Sequence, residues 1–427
     1  MISDVRPPTA EWKRSAELDF NGEAVQDDDA QPVLLRGANE HLLFIKLLSL
    51  TTVSSKQRTS IHMDLVIEIL SRMPVKGLLK FKCLSKEFSR IIHSRSFVDK
   101  CLSCSSNRSR LLFYIDCYKE KKLVFFSAPH RSTCPIAPTR HDMTFGGVAG
   151  VSLSSPPVRG LILCTFGPNQ HVICNPATKQ NLSLPRNRML RTRGLIEMLI
   201  FGYNPIADHF KVLCISKYEY VYPNPYQFWV LTAGQEEWRQ IQGLPPHLDP
   251  YTFTWKHMSG GSGMCINGII YFKAYSRTPS LNDPEFTTHV VSFDLNSEEF
   301  SLCKTNHHLT WFSKLIDFQG KLAFISRAKD CTIEFCLMEN NEWSSRVFHL
   351  PWVQIYSSHH DRIISSFVLG TCDGGEVVFL PPDDFGFTWH LSLEKKTIRK
   401  VCFETPSKLR RSLVFFFVNH VDTTVSL

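Results

Sequence analysis

Residues 263–303 read GMCINGIIYFKAYSRTPSLNDPEFTTHVVSFDLNSEEFSLC, and the order of their parts decides the fold. The pair Asn267-Gly268 is a turn signal, and the apolar run IIYF after it reads as a buried strand. HVVSFDLNSEEFSLC then closes the unit as a hairpin whose turn is polar and whose second strand opens on Phe300.

The same unit recurs on both sides of this stretch. Arg159-Gly160 precedes LILCTF, Gln319-Gly320 precedes KLAFI, and Gly374-Gly375 precedes EVVFL. Matching hairpins are HVICNPATKQNLSLP, QFWVLTAGQEEWRQI, IEFCLMENNEWSSRVF and TWHLSLEKKTIRKV. Their equivalent residues Leu182, Trp238, Phe300, Trp343 and Ile398 lie 56, 62, 43 and 55 apart. Units of about 50 residues with four short strands each are the pattern of propeller blades, and no helical period competes. Five units plus the flanking strands allow a ring of about six blades. Leu111–Ile115 and Leu413–Val418 are both strand-like, and their meeting would leave no open edge. Residues 111–427 therefore read as one all-β, propeller-like domain.

Working back toward the N-terminus, the texture changes at IHMDLVIEILSRMPVKGLLKFKCLSKEFSRIIHSRSF, residues 61–97. Leu65, Val66, Ile67, Ile69 and Leu70 are apolar and only Glu68 interrupts them, which is more than one helical stripe. One face can meet neighbouring helices; the other is left for something else. The first helix begins near Asp64, an acid suited to the positive end of the helix dipole. It stops before Pro74, which disfavours the helical region at Met73. A second helix spans about Val75–Leu84, and Ser85 is placed to cap a third, Lys86–His93. Phe88, Ile91 and Ile92 give the third an apolar face. Three helices in some 40 residues lie near the lower size limit for independent stability.

At 427 residues, with 43% hydrophobic and 21% charged residues, the composition is ordinary and globular. The longest apolar run, Leu42–Leu50, is broken by Lys46 and is too short to span a membrane. The start, MISDVRPPTAEW, is not a secretory signal, and fourteen cysteines without regular spacing suggest reduced thiols. Both points lead us to expect a cytoplasmic and/or nuclear location. Residues 1–40 hold four basic and nine acidic residues, so the rest of the chain carries +13 and the whole chain +8. Its Lys and Arg are scattered singly, which argues against nucleic acid as the partner. Residues 1–58 read as an extension, expected to be largely disordered because so little apolar surface is on offer. Within it, His41–Val53 could form one short helix, either docking or simply packed.

The helical stretch resembles an F-box, the three-helix module that docks substrate receptors on the Skp-type adaptor of SCF ubiquitin ligases. Asp64-Leu65, Ile69-Leu70, Met73-Pro74, Leu78-Leu79, Phe81, Cys83 and Ser85-Lys86 carry the likeness. Two positions depart from it: His62 stands where the family usually has Pro, and Phe88 where it usually has Trp. The segments VRGLILC, VICNPATKQNLSLPRNR, FGYNPIADHFKVLC, GMCINGIIYF, VVSFDLNSEEF and FVNHVDTTVSL resemble the plant F-box-associated domain of type 3. The resemblance implies an α+β chain, an F-box at 59–104 followed by the propeller-like domain at 111–427. It further implies an adaptor face made of Ile61, His62, Leu65, Val66, Ile69, Leu70, Met73, Pro74, Leu78, Leu79, Cys83, Leu84 and Phe88. Through the adaptor the chain would reach a cullin, and its C-terminal domain would hold an unidentified target protein. Such a chain is a receptor subunit and not an enzyme.

No motif for chemistry stands out. There is no GxSxG elbow, P-loop, HExxH or paired-carboxylate arrangement, so no catalytic residue and no cofactor is assigned. Cys101-Leu-Ser-Cys104 has half the spacing of a zinc site without a second half. The pairs His307-His308 and His359-His360 would point to opposite faces of a strand, so no metal is assigned either. Gly260-Gly261-Ser262-Gly263 precedes a strand and not a helix, which leaves no phosphate cradle. For target binding the candidate is the tyrosine-rich stretch YEYVYPNPY, with Tyr218, Tyr220, Tyr222 and Tyr226. RNRMLRTR at 186–193 is a basic cluster that could grip an acidic partner. The hairpin residues Trp238, Phe300 and Trp343 are expected to pack between blades. Two competing readings remain: a propeller scaffold whose weakened F-box no longer couples to a ligase, and a propeller hydrolase or oxidase.

Overall fold

Three of the four pairs that precede the buried strands are two-residue hairpin turns with positive φ at both positions: 51° and 80° at Arg159-Gly160, 49° and 87° at Asn267-Gly268, 54° and 81° at Gln319-Gly320; at Gly374-Gly375 only the second glycine has it, 70°. This is the turn whose twist matches that of the strands it joins, and it sets each strand's register. At Arg159-Gly160 the flanking residues exchange both backbone bonds, Val158 N to Leu161 O and Leu161 N to Val158 O, each 2.9 Å.

The computed structural model describes residues 17–19, 24–25, and 62–427 apart from 107–109, 118–121, 131–136, 146–150, 154, 167–169, 188–193, 219–225, 245–247, 251–262, 278–285, 304–308, 310–312, 328–331, 350–367, 373, 381–385 and 404–413. The short strands β1 (Glu17–Asp19) and β2 (Ala24–Val25) come first. Four helices follow: α1 (Met63–Ser71), α2 (Val75–Leu84), α3 (Lys86–His93) and α4 (Arg95–Ser106). α2 and α3 have the expected limits, and the Ser85 hydroxyl accepts from Glu87 N at 3.1 Å. The fourth helix was not expected. Ser94, whose hydroxyl accepts from Phe97 N at 3.4 Å, stands before it as Ser85 stands before α3.

Six antiparallel sheets make the propeller. The first strands after the helices, β3 (Arg110–Cys117), β4 (Lys122–Pro129) and β5 (Thr139–Thr144), belong to the last sheet to be completed. The first blade is β6 (Val151–Leu153) to β9 (Gln180–Ser183), with β7 (Ile162–Phe166) and β8 (Gln170–Asn175) between. The second runs through β10 (Gly194–Asn204), β11 (His209–Tyr218), β12 (Tyr226–Thr232) and β13 (Arg239–Ile241). In the third, β14 (Leu248–Pro250) and β15 (Gly263–Ile266) both pair with β16 (Ile269–Arg277), followed by β17 (Phe286–Asp294) and β18 (Phe300–Cys303). The fourth is β19 (Lys314–Phe318), β20 (Lys321–Arg327), β21 (Thr332–Glu339) and β22 (Glu342–His349). The fifth is β23 (Val368–Thr371), β24 (Glu376–Phe379), β25 (Phe387–Ser392) and β26 (Thr397–Cys402), and β1 adds to its outer edge beside β26.

β27 (Val414–His420) then pairs with β3, Val414 opposite Ile115 and Phe417 opposite Leu112, so chain end and domain start share the sixth, closing blade. The two segments expected to meet do meet. Each seam between neighbouring sheets is filled by apolar side chains from both. Phe228 and Phe272 lie in the seam of second and third blades, Phe324 in that of third and fourth, and Phe113 with Val378 in that of fifth and closing blades. Trp238, Phe300 and Trp343 pack against these clusters, as expected of blade core.

Candidate functional site

Helix α1 uses its two faces differently. Val66 and Leu70, four residues apart, are buried with Leu78, Phe81, Ile92 and Phe97 to form the core of the helical module. Leu65 points the other way and is 59% exposed; Met63 is 40% exposed, and Leu84 at the end of α2 is 50% exposed. Pro74 and Cys83 are also exposed, while Ile69, Met73, Leu79 and Phe88 are half-buried. The expected adaptor face thus divides. Leu65, Pro74, Cys83 and Leu84 offer their side chains outward, whereas Val66, Leu70 and Leu78 act by holding the helices together. Ile61 lies outside the described residues. Phe88, at the usual Trp position, meets Phe81 edge-on with ring centres 5.5 Å apart. His62 is exposed, and its Nδ1 lies 3.1 Å from Asp64 Oδ2.

Helix α4 joins this module to the propeller. Phe97 and Cys101 face the helical core, and Val98 and Leu102, one position on, pack against Leu161, Leu163 and Val425 of the propeller. That places Cys101-x-x-Cys104 on a packed helix: Cys101 contributes to the core, and Cys104 Sγ sits 3.8 Å from Ser71 Oγ. On the α1 side, Glu68 is gripped by Arg72 and Lys100, each 2.6 Å away, and both cations hold its carboxyl below the usual range, Lys100 foremost. The C-terminal tail completes the joint. Asn175 Nδ2 donates to Thr423 O and Val425 O at 3.0 Å each, and Asn175 Oδ1 accepts from Ala177 N at 3.0 Å. A shallow pocket of ≈ 130 Å³ lies here, lined by Leu79, Lys82, Ile92, His93, Thr178, Gln180 and Thr424. It is smaller than the roughly 300 Å³ at which small-molecule sites begin.

On the propeller, the structure changes the expected target-binding set. Tyr226 opens β12 and is buried in the seam of the second and third blades, only 7% exposed, so its ring is not a contact surface. The strand starts at this residue, and its inward phase outweighs the tyrosine's polar hydroxyl. Tyr218 ends β11; Tyr220 and Tyr222 lie outside the described residues, as do His307, His308, His359 and His360. Arg186 is exposed, and Arg188, Arg191 and Arg193 lie outside. Among the described residues the propeller's large exposed apolar side chains are Ile206, Leu302 and Val347.

One cluster escaped the sequence reading. His130, Cys372 and His390, from the closing and fifth blades, bring one ring nitrogen or sulfur each within 4.8 Å of one another, all buried. No spacing rule could have found it, because its members become neighbours only when the ring closes. Among the described residues no helix is long and apolar enough to cross a membrane.

Comparison with known proteins agrees with this division of the chain. Residues 60–100 match the family described as F-box domain, and residues 110–421 match the F-box associated beta propeller domain. The F-box protein DOR of Arabidopsis thaliana is 31% identical over 392 residues, covering 85% of this chain and 92% of its own length. An F-box/kelch-repeat protein of the same plant is 29% identical over 399 residues, covering 86% and 93%. Among solved structures, TolB from Acinetobacter baumannii aligns with 74% of this chain and 70% of its own at a TM-score of 0.40 and 9% identity.

Proposed function

The chain belongs to the plant F-box proteins that carry an F-box associated β-propeller domain, and from that premise we propose that it is the substrate-recognition subunit of an SCF-type ubiquitin ligase. The F-box binds a Skp-type adaptor, and through it a cullin, while the propeller holds a target protein. One observation carries this reading: Met63, Leu65 and Leu84 stand exposed beside a helical core that is already complete without them. Apolar side chains of that size left in water on so small a module mark a partner surface. The chain contributes no chemistry in this reading. It raises the effective concentration of the target near the transfer machinery, and α4 with the C-terminal tail keeps the two ends in a fixed relation. We place this activity in the cytoplasm or nucleus, in keeping with fourteen cysteines that follow no regular spacing.

The test is titration of the purified chain with a Skp-type adaptor. Micromolar or tighter binding is expected, lost on Leu65→Asp. Absence of binding in both the unmodified chain and His62→Pro would end the proposal. His62 also favours a second reading, a binding scaffold with a weakened F-box, because its exposed ring, paired with Asp64, puts a polar group where the family usually has proline. Binding gained only on His62→Pro would favour that scaffold; binding by the unmodified chain excludes it.

A further inference from the structure

Beside the apolar cluster in the seam between the fifth and closing blades lies a group of buried polar side chains. His130 follows β4, Cys372 follows β23, Glu376 opens β24, and His390 lies in β25. His130 and Cys372 are each 5% exposed and His390 1%. Cys372 Sγ is 3.5 Å from Glu376 Oε2 and 4.0 Å from His390 Nδ1, and His390 Nδ1 is 3.2 Å from the same carboxylate oxygen. Tetrahedral coordination with bonds of roughly 2.0–2.3 Å separates neighbouring ligand atoms by roughly 3.3–3.8 Å. Three of the edges are therefore nearly in place.

Two further features point to a ligand. Neither ring nitrogen of His130 makes a well-formed hydrogen bond, although the residue is deep in the seam; its one polar contact is a weak one with the Arg110 backbone. A buried polar group left so is rare and calls for an occupant. His390 Nε2, in turn, is 3.1 Å from Thr388 Oγ1, a fully buried hydroxyl. That contact turns Nδ1 toward Cys372 and Glu376, as outer-shell partners orient metal-binding imidazoles.

We propose that His130, Cys372 and His390, with Glu376 as fourth ligand, form a binding site for a divalent transition-metal cation, Zn²⁺ by its mixed nitrogen, sulfur and oxygen donors. With four protein ligands the site is closed, a staple between the fifth blade and the blade that completes the ring, and not a catalytic centre. Arg399 supports it from outside. Its Nε is 2.9 Å and its Nη2 2.5 Å from the two Glu376 oxygens, and Nη1 donates to His130 O at 3.0 Å across the same seam. Arg399 Nη2 also approaches His390 Nδ1 at 3.3 Å, a contact the cation would replace. One thiolate, one carboxylate, one guanidinium and a dication sum to a single positive charge, tolerable at a partly buried position. Each imidazole would donate a ring-nitrogen lone pair in its neutral form, and Cys372 would release its proton to solvent as the sulfur–metal bond forms.

The experiment strips the full-length chain with a chelator and titrates it with Co²⁺, then Zn²⁺. Expected are a single equivalent of tight-binding Co²⁺, tetrahedral d–d bands, a sulfur-to-cobalt charge-transfer band, and displacement by Zn²⁺ with a rise in Tm. Cys372→Ser should abolish the charge-transfer band, and His130→Gln should weaken binding by at least about tenfold. His130→Gln is expected to keep a cooperative metal-free melt, so that its loss of affinity is not a loss of folding, and Zn²⁺ should raise its Tm less than that of the unmodified chain. The double variant Cys101→Ser/Cys104→Ser should leave the spectrum intact. No Co²⁺ or Zn²⁺ bound at micromolar concentration overturns the site, and so does a charge-transfer band that follows Cys101 and Cys104 in place of Cys372.

Discussion

Arg159 in the first blade's turn and Asp99 on α4 form an ion pair that ties the propeller to the helical module. The same guanidinium lies 4.3 Å above the Tyr203 ring, and Tyr203 donates its hydroxyl to Asp208 at 2.5 Å. Arg95, four residues before Asp99, donates to Pro205 O at 2.5 Å. One turn of α4 thus reads two blades at once, and the F-box is held where the propeller's first hairpin puts it.

Arg159→Ala removes the link and leaves both cores untouched. Asp99 is almost half exposed, so the loss in stability is modest, on the order of 1 kcal/mol. The larger effect is on the joint. Limited proteolysis between α4 and β3 should speed up in the variant while adaptor affinity stays as it was.

Leu65 and Leu70 sit on one helix and separate interface from core. Leu70 is fully buried, so Leu70→Ala should cost about 2–5 kcal/mol and melt a module with few apolar contacts in reserve. Leu65→Asp changes a side chain 59% exposed and should shift stability by no more than about 0.5 kcal/mol. It should nonetheless weaken adaptor binding tenfold or more, about 1.4 kcal/mol. Paired thermal melts and adaptor titrations of the two variants check the contrast.

Local signals carried the repeating parts of this fold. Asn267-Gly268 and Gln319-Gly320 announce their turns, Pro74 and Ser85 announce helix limits, and the apolar texture of Leu111–Ile115 and Leu413–Val418 matches the closure. Helix α4 was missed because its charged outer face, Arg95, Asp99 and Lys100, dilutes the apolar one, and because its two cysteines invite a different reading. Tyr226 was misplaced because a tyrosine-rich run looks like surface until the phase of β12 is known. The His130–Cys372–His390 group was invisible for a topological reason. Each member is unremarkable in its own segment, and only the pairing of β27 with β3 brings the closing blade beside the fifth.

Gly160 tests how much the C-terminal tail contributes. With φ of 80° it already disfavours any side chain, and a Cβ there would collide with the carbonyl oxygen of Val421 and the side chain of Thr423. Gly234, with φ of 88°, has nothing within 4 Å of the same position. Gly234→Ala should therefore show the conformational penalty alone, about 1–2 kcal/mol. Gly160→Ala should add about 1–3 kcal/mol for displacing the tail. Denaturant unfolding of both variants gives the difference directly. Equal losses would mean the tail yields freely and does not brace the joint under α4.

His171 makes the propeller acid-sensitive. It is 3% exposed on β8, with Nδ1 3.2 Å from Thr165 Oγ1, and burial drives its pKa down to about 4. In the unfolded chain the imidazole titrates near its ordinary value of about 6.5. Between these two values the unfolded state binds a proton that the folded state refuses, so stability falls as pH falls through that window and levels off below about 4. The loss from this residue is on the order of 3 kcal/mol. His171→Gln keeps a polar group for Thr165 but takes no proton. Its urea midpoint should therefore vary less between pH 7 and pH 4 than that of the unmodified chain, with the two curves converging in slope only where the carboxylates begin to titrate. An unchanged slope in the variant would assign the acid sensitivity to another buried histidine, of which His141, also held below its usual value by burial, is the next to substitute.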